Sequence, residues 1–270
     1  MTRSAFTTPD GCKLEYEVSG QGHPVLWQHG LGAPFSQPAA VFPEADGFQR
    51  ITLACRGHEG SDLGPPGELT FTAFSNDALA LLDHLGIERA VVGGISLGAA
   101  VAMRLAALAP ARVRALILAR PAWVDQVTPD TQGIYVEVGA CIARHGLEHG
   151  IGLFQQRADF RALMQASPDN AKSMLSYFSR PRPETTVALL SAISSSFPGL
   201  NRAQIRSIAA PTLVIGNGED VVHPLAFAQE LASLIPGAAL EIITSKTINA
   251  AAYEQEFKAA LSRFFKKVMP

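Results

Sequence analysis

Ser96 has the clearest chemical context in the chain. It sits at the centre of Gly94-Ile95-Ser96-Leu97-Gly98, directly after the apolar run Ala90-Val91-Val92 and directly before the Ala- and Leu-rich stretch Leu97 to Ala109, which Pro110 ends. A strand that turns sharply into a helix holds its serine in a strained conformation with the oxygen exposed. Glycines two residues to either side leave room for the close packing this turn demands. A second apolar strand, His23 to Gln28, ends in His29-Gly30-Leu31-Gly32. Such a Gly-rich turn can aim backbone donors at a developing oxyanion, and the N–H groups of Leu31 and Leu97 are assigned that job. The chemistry this pattern suggests is attack by a serine on a carbonyl carbon.

Two further stretches fit the same scheme. Cys55-Arg56-Gly57-His58-Glu59-Gly60-Ser61 follows the strand that ends at Ala54, and Leu81 to Ile87 leads into the strand before Ser96. Together with the two turns they resemble the α/β-hydrolase superfamily over nearly the whole sequence. The resemblance implies a mostly parallel central sheet flanked by helices, with Ser96 as nucleophile. It also implies a catalytic acid after a late strand. Pro211 to Gly216 is that strand, and Asn217-Gly218-Glu219-Asp220-Val221-Val222-His223-Pro224 follows it. Asp220 matches the acid, with a proline four residues on; Glu219 is the competing carboxylate.

The chain departs from the family at the general base, a histidine that normally lies beyond the last strand. Here the loop after Leu240 to Thr244 reads Ser245-Lys246-Thr247-Ile248-Asn249-Ala250, and the seven histidines are His23, His29, His58, His84, His145, His149 and His223. A serine hydroxyl without a base is a poor nucleophile at neutral pH. His223 is the best substitute, three residues after Asp220; the alternative is that it lines the pocket or caps the helix starting near Pro224. Lys246 would serve only if desolvated, and is otherwise a surface lysine. Asn249 stands near the expected histidine position and cannot take a proton.

Other polar residues carry weaker signals. His29, Arg56, Arg120 and Trp123 are possible substrate-binding residues: His29 lies in the oxyanion turn, and either arginine could bind a carboxylate in two-pronged fashion. The competing roles are structural, with His29 bonding backbone and Arg56 tying loops together. His58 reads as a solvated loop residue that could touch substrate, and His84 as a half-buried residue among leucines. His145 and His149 lack a metal-type partner pattern and flank Gly146, which suggests a helix end; no metal site and no cofactor are expected. Cys55 reads as a small buried residue at a strand end.

Composition sets outer bounds. The 270 residues are 47% hydrophobic and 17% charged with a net charge of −2, which suits one large α/β domain and argues against nucleic-acid or membrane-surface partners. Three cysteines at wide spacing fit a reducing compartment, so a cytoplasmic protein is expected; a small-molecule substrate is the expected partner, with a homodimer as a possible assembly. An opening hairpin around Asp10-Gly11 precedes strands at Val25 to Gln28, Ile51 to Ala54, Ala90 to Gly93, Ala115 to Ala119, Thr212 to Ile215 and Leu240 to Ile243. No strand is evident between Trp123 and Ile205. Instead Ile134, Val138, Cys141 and Ile142 recur at helical spacing, and prolines at 129, 168, 181, 183 and 198 divide the stretch into about four helices.

The expected organisation is therefore an α/β-hydrolase core over 1–124 and 205–270 with a helical cap over 125–204. Tyr135, Phe154, Phe160, Met164, Met174, Tyr177, Phe178 and Phe197 would form its apolar roof, with two or three of them meeting a ligand. The expected function is a cofactor-free esterase, lactonase or carbon–carbon hydrolase acting on a small, mainly apolar substrate. The alternatives are a small-molecule binder, a lyase or a cofactor-free oxygenase on the same scaffold.

Overall fold

The chain is described here by a computed structural model, which covers residues 1–43 and 47–269. The strands are β1 (Thr2–Thr7), β2 (Lys13–Gly20), β3 (His23–Gln28), β4 (Phe48–Leu53), β5 (Ala90–Ile95), β6 (Val113–Ala119), β7 (Thr212–Gly216) and β8 (Ala239–Ile242). They form one sheet in the order β1-β2-β4-β3-β5-β6-β7-β8. The β1–β2 and β2–β4 pairs are antiparallel, and the remaining pairs are parallel. The helices are α1 (Ser36–Val41), α2 (Phe71–His84), α3 (Leu97–Leu108), α4 (Pro129–Gln155), α5 (Ala158–Ala166), α6 (Pro168–Ser176), α7 (Pro183–Ser194), α8 (Arg202–Arg206), α9 (Leu225–Leu234) and α10 (Ala250–Val268).

The central strands are buried on both sides, so their apolar runs alternate between two cores. Val25, Trp27, Val91, Ile117 and Ile215 pack with Phe257, Leu261 and Phe265 of α10 on one face. Leu26, Val92, Leu116 and Val214 pack with α2, α3 and α9 on the other. This two-faced burial places β5 at the middle of the molecule and its carboxyl end beside those of β3, β6 and β7, where α/β folds bind ligands.

Helices α4 to α8 lie between β6 and β7. Pro129, Pro168 and Pro183 each occupy the first position of a helix, where the missing N–H costs no bond. Gly146 breaks α4 with φ +70°, between His145 and His149. His58 is fully buried, not solvated, and His84 is exposed, not half-buried, its ring stacked on Phe6 at 5.3 Å. Among the described residues no helix is long and apolar enough to cross a membrane.

Candidate active site

Ser96 joins β5 to α3 with φ +56° and ψ −109°, a conformation that L residues adopt only under constraint. The constraint is steric. A Cβ on Gly94 would lie 2.7 Å from the Gln28 carbonyl oxygen and from the Gly98 carbonyl carbon, and one on Gly98 would lie 2.5 Å from the same oxygen. The strand and helix therefore approach closely only with glycine at both places, and the Ser96 N–H is tied to the Ala119 carbonyl at 3.0 Å. The serine is 7% exposed, its hydroxyl directed to a cavity.

The loop from Asn217 to Pro224 brings two partners to it. His223 Nε2 lies 2.9 Å from Ser96 Oγ, and His223 Nδ1 lies 2.9 Å from Asp220 Oδ1. With Nδ1–H donating to the carboxylate, Nε2 is left to accept the serine proton. The His223 backbone N–H also donates to Asp220 Oδ1 at 3.2 Å, so the three-residue spacing folds acid and ring onto each other. Glu219, at φ +46°, is exposed, whereas Asp220 is buried.

Arg120 completes the buried charge system. Its Nε and Nη2 each lie 2.7 Å from Asp220 Oδ2, and Nη2 is 3.3 Å from His223 Nδ1. Burial alone would raise the Asp220 pKa, but the Arg120 guanidinium and then His223 hold it far below the usual carboxylate range. The same carboxylate keeps Arg120 protonated despite its burial. The expected two-pronged grip of Arg120 on a substrate carboxylate is corrected accordingly: Nε and Nη2 are committed to Asp220, although the residue still lines the cavity.

The inserted helices grip this loop. Gln132 Nε2 of α4 donates to the Val222 carbonyl at 2.9 Å, Val222 N–H donates to Asn170 Oδ1 of α6 at 3.1 Å, and Ser167 Oγ donates to the Glu219 carbonyl at 2.7 Å. Three polar side chains thus fix the residues on either side of Asp220 and just before His223. Nothing in their sequence context marks them, since each lies in a region legible only as amphipathic helix.

The turn from His29 to Gly32 is held in a comparable way. His29 Nδ1 donates to the Gly30 carbonyl at 2.8 Å while Nε2 accepts from Cys55 N–H at 3.0 Å. The Gly30 carbonyl and the Leu31 N–H belong to one planar peptide unit, so fixing the carbonyl fixes the direction of that N–H. His58 Nε2 accepts from Gly32 N–H at 2.8 Å, Gln37 Oε1 accepts from Gly30 N–H at 2.7 Å, and the Tyr177 hydroxyl donates to the Leu31 carbonyl at 2.7 Å. Leu31 N–H and Leu97 N–H form no hydrogen bond among the described residues.

Three possible substrate contacts are corrected. His29 is fully buried behind the turn and does not line the cavity; burial lowers its pKa to about 4, and burial likewise depresses His58. Arg56 donates from Nε and Nη2 to Asp77 at 2.8 Å each and also pairs with Asp10, so it ties the β4–α2 loop to α2 and the first hairpin. Trp123 is buried edge-on against Phe71 at 5.1 Å. Asn249 caps α10 by accepting from Ala252 N–H at 3.0 Å, and Lys246 lies at the cavity edge over the Tyr253 ring.

The cavity has a volume of about 310 Å³. Gly30, Leu31, Ile95, Ser96 and His223 form its floor, and Tyr135, Met174 and Tyr177 from the insertion contribute to its walls.

The sheet order, the strained serine and the paired loops define the class of protein. The chain belongs to the alpha/beta hydrolase fold family, whose sequence pattern matches residues 23–246. It is similar to the 2-hydroxymuconate semialdehyde hydrolase of Pseudomonas putida, 28% identical over 244 residues that cover 86% of this chain and 83% of the relative. It is also similar to 3-oxoadipate enol-lactonase 2 of Acinetobacter baylyi, 27% identical over 271 residues that cover 96% of each. Among solved structures, a hydrolase from Pseudomonas aeruginosa PA01 matches with a TM-score of 0.73 at 25% identity, covering 97% of this chain and 98% of that one.

Proposed function

We propose that the protein is a serine hydrolase of the esterase, lactonase or carbon–carbon hydrolase type whose general base is His223, carried on the same loop as the acid Asp220. The observation that carries this reading is the unbroken line of contacts from Ser96 Oγ to His223 Nε2 at 2.9 Å and from His223 Nδ1 to Asp220 Oδ1 at 2.9 Å. The relatives, a semialdehyde hydrolase and an enol-lactonase, support hydrolysis over a binding role.

In this reading His223 takes the Ser96 proton as the serine oxygen attacks the substrate carbonyl carbon. The resulting oxyanion is bound by the N–H groups of Leu31 and Leu97, donors that the fold holds in place before reaction. His223 then passes its proton to the leaving group, the carbon–heteroatom or carbon–carbon bond breaks, and an acyl group remains on Ser96. Water, deprotonated by His223, releases the acid and restores the serine. Asp220 holds the ring in the tautomer this cycle requires and stabilises the imidazolium, while Arg120 keeps Asp220 ionised. The segment 125–204 acts as the cap, since its side chains both wall the cavity and clamp the acid–base loop.

Rapid mixing with p-nitrophenyl butyrate tests the reading. A burst of one nitrophenolate per chain followed by slower turnover is expected, and Ser96→Ala should abolish both. Equal rates in the native protein and Ser96→Ala would overturn it.

A further inference from the structure

The ionic side chains around the Ser96 cavity are unevenly satisfied. Arg120 is neutralised by Asp220, and its Nη2 is 3.9 Å from Asp169. Lys246, half-buried at the cavity edge, and Lys172 of α6, exposed at the same cavity, form no ion pair with a carboxylate among the described residues. The larger concavity between α4 and α5, about 510 Å³, differs: its one guanidinium, Arg157, pairs with Glu137 at 3.0 Å and Asp159 at 2.8 Å. The one cation on that outer surface is matched by the protein's own carboxylates, whereas Lys246 and Lys172 at the Ser96 cavity have no such partner among the described residues.

Lys246 is the more constrained of the two ammonium groups. Its Nζ lies 5.2 Å from the Tyr253 ring centroid, and the same ring receives the Arg120 guanidinium at 5.8 Å. Tyr253 is buried at the start of α10, so Lys246 is positioned against a rigid surface and held beside a second cation. An ammonium in that setting gains most from an anion that enters with the ligand. Lys246 also stands in the loop after β8, from which the resemblance would have supplied a histidine; with the base on another loop, this segment is free to contact substrate.

We propose that the cavity takes substrates carrying a carboxylate in addition to the carbonyl that Ser96 attacks, and that Lys246 is the residue that binds it. The catalytic half of this statement rests on the hydrolase reading above; the binding half does not. Arg120 is less suited as the anchor because its Nε and Nη2 are already committed to Asp220, which rules out a two-pronged grip on a second carboxylate. Lys172, on a solvent-exposed helix face, adds long-range attraction without fixing a geometry.

Two paired comparisons test it. For turnover, mono-p-nitrophenyl glutarate is set against p-nitrophenyl butyrate; for binding, 3-phenylpropionate is set against 3-phenylpropionamide by calorimetry on Ser96→Ala protein. The acid of each pair should be favoured by at least about tenfold, in kcat/KM chiefly through KM, and in Kd. Lys246→Met should bring both ratios close to one, and Lys246→Arg should keep them. Equal handling of acid and neutral partner by the native chain, or a preference that survives Lys246→Met, would overturn the proposal. If butyrate ester is cleaved with a ratio of one, the carboxylate site falls while the hydrolase reading stands. If neither ester is cleaved but phenylpropionate binds in a Lys246-dependent way, the hydrolase reading falls and the carboxylate site stands.

Discussion

The turn around Ser96 and the loop from Asn217 to Pro224 deliver their chemistry by different means. The turn is fixed by backbone sterics: glycine at 94 and 98 is the only residue that fits, and the serine between them is forced to positive φ. The loop that carries Asp220 and His223 is fixed by side chains, through Arg120 on Asp220 and through Gln132, Asn170 and Ser167 on the neighbouring backbone. A sterically determined turn has few ways to change, whereas a loop held by side chains can carry its functional groups in more than one order. This contrast fits a serine that stands in its expected place and a histidine partner, His223, that reaches it from another loop.

The sharpest way to break the comparison is at the base. His223→Ala should lower kcat for an activated ester by roughly 10⁴- to 10⁶-fold, as loss of a general base does in serine hydrolases. Asn249→Ala, in the loop where the family histidine is expected, removes only the α10 cap; it should cost about 1 kcal/mol of stability and leave kcat within a few-fold. Steady-state kinetics on both variants decide between the two loops.

A smaller effect is expected at the side-chain clamp. Arg120→Met leaves the Asp220 carboxylate buried without its main partner, and breaking a buried pair in this way costs about 3–5 kcal/mol. Urea unfolding should show that loss. A midpoint equal to that of the native protein would mean that the loop holds itself without Arg120.

The serine side has its own weakness, which is acid. His29 has a pKa of about 4 in the folded chain against an ordinary 6.5, because burial disfavours its charged form and Nε2 already accepts from Cys55 N–H. The unfolded chain takes up a proton below pH 6.5 that the folded chain refuses. Stability from His29 is therefore complete above pH 6.5 and is lost as pH falls from 6.5 to about 4, by about 3 kcal/mol in all. His58, depressed in the same direction, adds to the loss. Asp220 has the opposite origin and a lower window: its depressed pKa contributes fully above 3.8, and that contribution declines only as pH falls below it. Urea midpoints that stay level between pH 7 and 4.5 would contradict the neutral, buried assignment of His29.

What the amino-acid pattern conveyed follows the same division. The β5 elbow, the alternation of strands and helices, and the helical insertion with prolines at three helix starts were all legible, because periodicity and Gly/Pro placement are local signals. Strand ends moved by a residue or more, as at β4, which begins at Phe48 and not at Ile51. Side-chain reach was not legible. The spacing of Asp220 and His223 permitted a ring aimed at Ser96 or one capping a helix, and the choice depends on φ +46° at Glu219 and on clamps from residues 50 or more positions away. Arg56 could have bound substrate until Asp77, 21 residues on, supplied its partner. His29 was placed in the oxyanion turn, but its part in orienting the Leu31 peptide depends on contacts across the β3–β4 interval.

The central claim is that Ser96 is activated by a histidine on the acid loop, and covalent labelling by a fluorophosphonate, followed by intact mass, tests it most directly. The native protein should gain one phosphonyl group rapidly. Ser96→Ala should gain none, and His223→Ala should label at least about a thousandfold more slowly. Labelling of His223→Ala at the native rate would contradict the account, because the serine would then draw its activation from elsewhere.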